Sequence, residues 1–321
     1  MSTAAGTAAN ALHHWALFYR GPEEYSAAVT AFLAEGLGAG EPALVAVPGP
    51  NLYAVRASFP GNNGVTFIDM TYLGSNPLRL MPAIRTFTDS YPGQRTRFVG
   101  EPIWPGRRDT EVQEATRHEA LINSALADVP TTILCPYDAG HLSSAVLESA
   151  RHTHPNLLDG GQHQPSPSYR AADVAAAIGE QRLPGPPATA EALVFGETDL
   201  ATLRKHAEYH ARQAGLSAGR SQDFALAVNE AATNTVVHTK AAGTCRFWHT
   251  AASVTCDITD TGRITDPLAG RRPPPGHAAH GLGLWVINQV CDLTELRSGD
   301  WGTTVRMHMY RQRTAPPTVT A

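Results

Sequence analysis

The chain has 321 residues, 42% of them apolar, and a formal net charge of −4. The length fits about two domains with ordinary buried cores, and the near-neutral balance without a lysine or arginine run excludes a nucleic-acid footprint. Four scattered cysteines (Cys135, Cys245, Cys256, Cys291) form no Cys-x-x-Cys pair, and no window approaches the ~20 apolar residues of a membrane span, so a soluble cytoplasmic protein without disulfides or zinc ligands is expected.

Residues 1–10 read as a disordered lead-in, alanine-rich but without the basic and apolar regions of a signal peptide. An apolar run over 14–19 predicts a strand, followed by a turn at Gly21 and Pro22. Helices are then expected over 25–37, 52–59, 78–89, 109–126 and 142–152, and strands over 43–47, 65–69, 96–99 and 131–135. Strands apolar on both faces, alternating with helices, predict a largely parallel sheet flanked by helices. Ligands of such folds bind where strands run into helices, here around Arg20, Gly49, Glu101 and Tyr137. None of these loops carries a Walker-type Gly-x-x-x-x-Gly-Lys-Ser/Thr sequence, so the phosphate machinery of that class is absent. His152 and His154 with a helical His141 could bind a metal or haem, but the histidines at 13, 14, 118, 141, 152, 154 and 163 form no set with metal-ligand spacing on one predictable face. They read as structural or surface residues, and Trp104 and Tyr137 as walls of a core or a modest apolar pocket.

Between 162 and 187 the composition shifts toward proline, serine and glycine, ending in a proline-stiffened linker, with a short alanine-rich helix expected over 171–180. A helix over 200–214 precedes the most informative stretch, 225–238. At about 100° per residue that stretch is amphipathic. Phe224, Val228, Ala231 and Thr235 face a core, while Glu230, Asn234 and His238 follow at i, i+4 and i+8 as one polar stripe. Asp223 is expected near the first turn, at the positive end of the helix dipole. A carboxylate and a carboxamide one turn apart can serve one polyphosphate, the amide oxygen as a hard ligand for Mg²⁺ and the carboxylate as a base.

A hairpin is expected over 244–249 and 254–258, its second strand running into an acidic, glycine-containing turn. There Asp260 can accept from an exocyclic amine such as that of adenine, and Gly262 lets the backbone come close to the base. Residues 263–279 show no helix or strand pattern, and their Arg271 and Arg272 could reach phosphates but read more readily as solvated. His280, Gly281 and Gly283 lead into a helix whose free N–H groups can meet phosphate oxygens. A last strand from Gly302 brings two hydroxyls, Thr303 and Thr304, within reach of a base, and the tail after Arg313 is loose.

These four stretches, in this order, resemble the ATP-binding domain shared by histidine kinases and gyrase-type ATPases (the GHKL, or Bergerat, type), and above all that of bacterial anti-sigma serine kinases. The resemblance covers 191–312. It places Glu230 and Asn234 in the N box, Asp260 and Gly262 in the first glycine box, His280, Gly281 and Gly283 in the second, and Thr303 or Thr304 at the hydroxyl near adenine. One departure is visible: the first box ordinarily reads Asp-x-Gly-x-Gly, and Ile264 stands at the second glycine's place. The resemblance implies an α/β sandwich, ATP and Mg²⁺ as cofactors, Asn234 as the Mg²⁺ ligand, Glu230 as the catalytic base and the 263–279 loop as a lid. It further implies a serine/threonine kinase acting on an anti-sigma antagonist of the STAS type, a sigma factor as a further partner, and a homodimer.

Residues 11–178 resemble the MEDS-type sensory domain of a dichloromethane-responsive regulator and of methanogen signalling proteins, through His14 to Tyr19, Gly100 to Trp104, Cys135 to Asp138, and His154-Pro155. The signal sensed is left open by the sequence. The linker, 179–190, occupies the place where a conventional histidine kinase carries its phospho-acceptor helix pair, and His118-Glu119 lacks the proline of that motif. A reading from another class is a protein-interaction module that binds ATP or nothing. Ile264 fits that reading, and Glu230 speaks against it.

Overall fold

The computed structural model describes residues 11–61, 64–272 and 282–311. The chain divides into two compact units between Ala175 and Ala176. The expected lead-in over 1–10, residues 273–279 of the expected lid, His280, Gly281 and the tail lie outside the described residues.

The first unit is built on seven strands in the order β3-β2-β4-β5-β1-β6-β7. They are β1 (His13–Tyr19), β2 (Ala43–Val47), β3 (Val65–Asp69), β4 (Thr96–Gly100), β5 (Thr131–Asp138), β6 (Asn156–Asp159) and β7 (Gln162–Pro165). All pairings are parallel except that of β6 with β7. Helices intervene: α1 (Pro22–Gly38), α2 (Gly49–Ser58), α3 (Met70–Leu73), α4 (Leu80–Asp89), α5 (Asp109–Ala125), α6 (Ser144–Thr153) and α7 (Ala171–Glu180). The inner strands are apolar on both faces because helices cover both, and every residue of β2 is buried.

Elements not expected from the sequence include β6 and β7. Each of the four β7 residues is exposed, so no apolar pattern marks it. The hairpin rests on its turn: Asp159 pairs with Gln162 around Gly160 and Gly161, whose φ values are 55° and 77°. Two consecutive positive φ angles make the tight turn that glycine supplies.

At the carboxyl ends of β1 and β4, Glu101 is buried. It accepts hydrogen bonds from the Tyr19 hydroxyl at 2.9 Å and the Asn51 amide at 2.8 Å. Burial pushes its pKa up to about 7, against the opposing pull of those two bonds. Of the two aromatic residues expected to wall a core or a modest apolar pocket, Tyr137 is buried in the core and Trp104 has the Arg107 guanidinium 4.4 Å from its ring centroid.

The second unit is an antiparallel sheet in the order β11-β12-β10-β9-β8: β8 (Glu191–Phe195), β9 (Gly243–His249), β10 (Ser253–Asp260), β11 (Leu293–Gly299) and β12 (Gly302–Tyr310). Helices α8 (Leu200–Gln213), α9 (Ala218–Thr239) and α10 (Leu282–Val290) accompany it. Phe224, Val228 and Ala231 of α9 pack with Phe247, Ile258 and Met307 of the sheet and with Ile287 of α10 in one core. The two units together give the α/β class expected. Helix α9 starts earlier than expected, at Ala218, where the Ser217 hydroxyl caps the Arg220 N–H. Asp223 therefore lies beyond the first turn and is not a dipole partner at its start. No helix among the described residues is long and apolar enough to cross a membrane.

A raised folded-state pKa means that Glu101 favours folding when protonated, so stability falls as pH climbs from the ordinary 4.5 to about 7. Glu101→Gln is expected to remove that fall, on the order of 3 kcal/mol, in unfolding curves recorded across pH. Parallel pH profiles for parent and variant would contradict the assignment.

Candidate functional site

The polar stripe of α9 forms because a helix that buries Phe224, Val228, Ala231 and Thr235 must turn the neighbouring i, i+4 series toward the helix edge. Glu230 and Asn234 are half-buried on that edge, and His238 is exposed. Among the described residues, no hydrogen bond engages the Glu230 carboxylate or the Asn234 amide. The start of α10 runs directly against them. A Cβ on Gly283 would fall 2.8 Å from Asn234 Nδ2, 3.1 Å from its Oδ1 and 3.1 Å from Glu230 Oε2. Only glycine lets the helix approach this closely while both side chains keep their positions.

Asp260 closes β10 and is held from two sides. Its Oδ2 accepts from the Thr235 hydroxyl at 2.6 Å, and its Oδ1 accepts from the Gly262 N–H at 2.8 Å. Carboxylate oxygens have further acceptor capacity beyond one bond each. At Gly262 a Cβ would meet Thr239 Cγ2 at 2.8 Å and Asp260 Oδ1 at 3.0 Å, so a side chain there would displace the carboxylate or the helix end. Thr303, paired with Asp260 across β10 and β12, donates to the Gly262 carbonyl at 2.8 Å. Its hydroxyl also lies 2.8 Å from that of Ser298, which accepts from the Ile264 N–H at 2.8 Å. Strand alternation sends Thr304 to the other face, 3.3 Å from the Thr259 hydroxyl, so of the two expected hydroxyls only Thr303 reaches the site.

These residues surround a cavity of about 850 Å³. Asn234, Asp260, Gly262 and Thr303 supply its polar points, and Ala231, Ile264, Leu268, Leu284 and Val305 its apolar walls. That volume and mixture suit a ligand with a flat ring and a few directed polar groups. Glu230 lies beside the cavity under Gly283 and is not part of its lining. Ile264, at the place of the missing glycine, is half-buried against the core and forms part of the apolar wall. Arg272 lines the cavity, but Arg271, read as solvated, is buried at 1% exposure.

The residues fit a nucleotide and Mg²⁺. The apolar walls match a purine, the pinned Asp260 an exocyclic amine, and the α10 N-terminus phosphate oxygens. Asn234 Oδ1 and Glu230 are unengaged oxygen ligands of the kind a hard cation takes. Sequence reasoning missed Thr235 and Ser298 as supports. Thr235 was legible as a hydroxyl on a core-facing position, which needs an acceptor once buried. Ser298 had no comparable signal.

Thr235→Val keeps the side-chain shape and removes the hydrogen bond to Asp260. Urea unfolding of the full chain is expected to show a loss of about 1–2 kcal/mol. An unchanged midpoint would mean that the Gly262 N–H alone orients Asp260.

Comparison with known proteins agrees with this geometry. Residues 13–155 match the family described as MEDS, the methanogen/methylotroph, DcmR sensory domain, and residues 196–309 match the histidine kinase-like ATPase domain. No curated protein matches the chain. Among solved structures, the cytoplasmic domain of EssC is 13% identical over 45% of this chain and 30% of that one, with a TM-score of 0.29, too slight a likeness to bear on fold or function. The chain is therefore a two-domain protein in which a MEDS sensory domain precedes a histidine kinase-like ATPase domain, the make-up of a signalling regulator.

Proposed function

We propose that the ATPase domain binds Mg²⁺–ATP and transfers the γ-phosphoryl group to a serine or threonine of an anti-sigma antagonist protein of the STAS type, under control of the sensory domain. The observation that carries this reading is the meeting of Gly283 with Glu230 and Asn234 beside a cavity that holds a fixed Asp260. Asp260 selects adenine by accepting from its amine. The N–H groups at the start of α10 hold phosphate oxygens, and the Asn234 amide oxygen offers a ligand to Mg²⁺. Bound Mg²⁺ supplies charge neutralisation along the polyphosphate. Glu230 takes the proton of the attacking hydroxyl as its oxygen bonds to the γ-phosphorus and the bond to the ADP oxygen breaks. A sigma factor is the further partner of this cytoplasmic switch, and a homodimer is its expected state.

A contact module without transfer is the second reading, favoured by Ile264, whose side chain fills the place of a glycine. Phosphorylation of a STAS-type antagonist by the intact protein separates the two. Glu230→Gln is expected to keep ATP affinity and to slow transfer by at least ~100-fold. Transfer at the parent rate would remove Glu230 from its role, and no transfer by the parent would favour the contact module.

A further inference from the structure

The sensory domain contains a cluster that the ATP-directed chemistry does not use. His14 on β1, Glu119 on α5, Cys135 on β5 and His154 just after α6 converge in the interior, none more than 1% exposed. Glu119 Oε2 lies 3.0 Å from His14 Nε2, 3.1 Å from His154 Nε2 and 3.3 Å from Cys135 Sγ. Cys135 Sγ is 3.4 Å from His14 Nε2, and all four atoms fall within 4.8 Å of one another.

The protons do not balance in such a cluster. The Asn123 Nδ2 amide donates among the carbonyls of Glu119, Ala120 and Thr153, at 3.1, 3.2 and 2.8 Å. Its Oδ1 therefore faces His14 Nδ1, 3.1 Å away, as an acceptor, and His14 carries its proton on Nδ1. His154 Nδ1 lies 2.8 Å from the Ala150 carbonyl, which can only accept, so His154 carries its proton on Nδ1 as well. A neutral imidazole has one N–H. Both Nε2 atoms thus turn lone pairs toward a carboxylate oxygen that is itself an acceptor. The Cys135 thiol has one proton and can satisfy one of the three. His154 Nε2 is left without a hydrogen bond, since its approach to Glu119 is out of line for one. Lone pairs pressed together in a dry interior repel, so the arrangement calls for a cation among them.

A proton bridges one pair of atoms along one line, whereas here four ligand atoms lie within 4.8 Å of one another. Two imidazole nitrogens, a carboxylate oxygen and a sulfur form the donor set of a tetrahedral zinc-class site. Nδ1–H groups held by carbonyl oxygens are the usual means of aiming a ligating Nε2. A carboxylate and a thiolate cancel a double positive charge, so the occupied site is neutral and can be buried.

We propose that the sensory domain binds one divalent transition-metal ion of the zinc class through His14 Nε2, His154 Nε2, Glu119 Oε2 and Cys135 Sγ. The thiol proton leaves to solvent on binding. Metal–ligand distances of about 2.0–2.3 Å place tetrahedral ligands about 3.3–3.8 Å apart, so the close pairs separate by only a few tenths of an ångström. Protein fills all four positions, and the ion cross-links β1, α5, β5 and the end of α6. The site is invisible to local spacing because its four ligands come from four different elements.

The test uses the full chain purified without chelator. Elemental analysis is expected to find about one zinc per chain, lost in Cys135→Ala and His154→Ala and kept in His141→Ala, whose exposed imidazole pairs with Asp138. Cobalt(II) added to reduced, metal-stripped protein is expected to give sulfur-to-cobalt charge-transfer absorption that Cys135→Ser abolishes. Glu191, His206 and His210, another group of clustered ligand atoms, contain no sulfur and cannot produce that band. A parent protein that is metal-free as purified and gives no such absorption would overturn the proposal, and the cluster would then hold an imidazolium paired with Glu119.

Discussion

The 2.6 Å bond between the Thr235 hydroxyl and Asp260 joins helix α9 to the end of β10, and the arrangement of the ATPase site depends on it. From Thr235 the helix carries Asn234 one residue away and Glu230 a turn further back. From Asp260 the chain turns through Gly262, and that turn is held to the sheet by Thr303 and Ser298. The start of α10 completes the arrangement only because Gly283 has no side chain to strike Asn234.

The two domains solve different burial problems. In the ATPase domain the polar residues of the site lie along the edge of a core made by α9, α10 and the sheet, so they stay accessible while the helix is anchored by Phe224 and Val228. In the sensory domain polar groups are sealed inside: Glu101 at the strand ends with Tyr19 and Asn51, and the His14–Glu119–Cys135–His154 cluster beside β1 and β5. Buried polar groups of this kind persist only with full partnership. Glu101 finds it in hydrogen-bond donors, whereas His154 Nε2 of the second cluster has no hydrogen-bond partner among the described residues.

Much of this organisation was legible in the sequence, for physical reasons that also mark where legibility stops. Strands buried on both faces, such as 43–47, announce themselves as unbroken apolar runs, and the 3.6-residue period of α9 separates its core face from its stripe. Strand β7 carries no such signal, since its register is set by the Gly160-Gly161 turn and all of its side chains are exposed. The choice between Thr303 and Thr304 needed the register of β12 against β10, which a one-residue slip would invert. Burial of Arg271 and convergence of His14 with His154 are products of tertiary packing, and spacing along the chain does not encode them.

The central claim is that α9, α10 and the end of β10 form a nucleotide site in which Asn234 supports the bound metal. Calorimetric titration of Mg²⁺–ATP into the intact protein, beside the Asn234→Ala variant, tests it most directly. Saturable binding by the parent, weakened at least ~tenfold by the substitution, is the predicted result. No binding by the parent, or equal affinity in the two proteins, would contradict it.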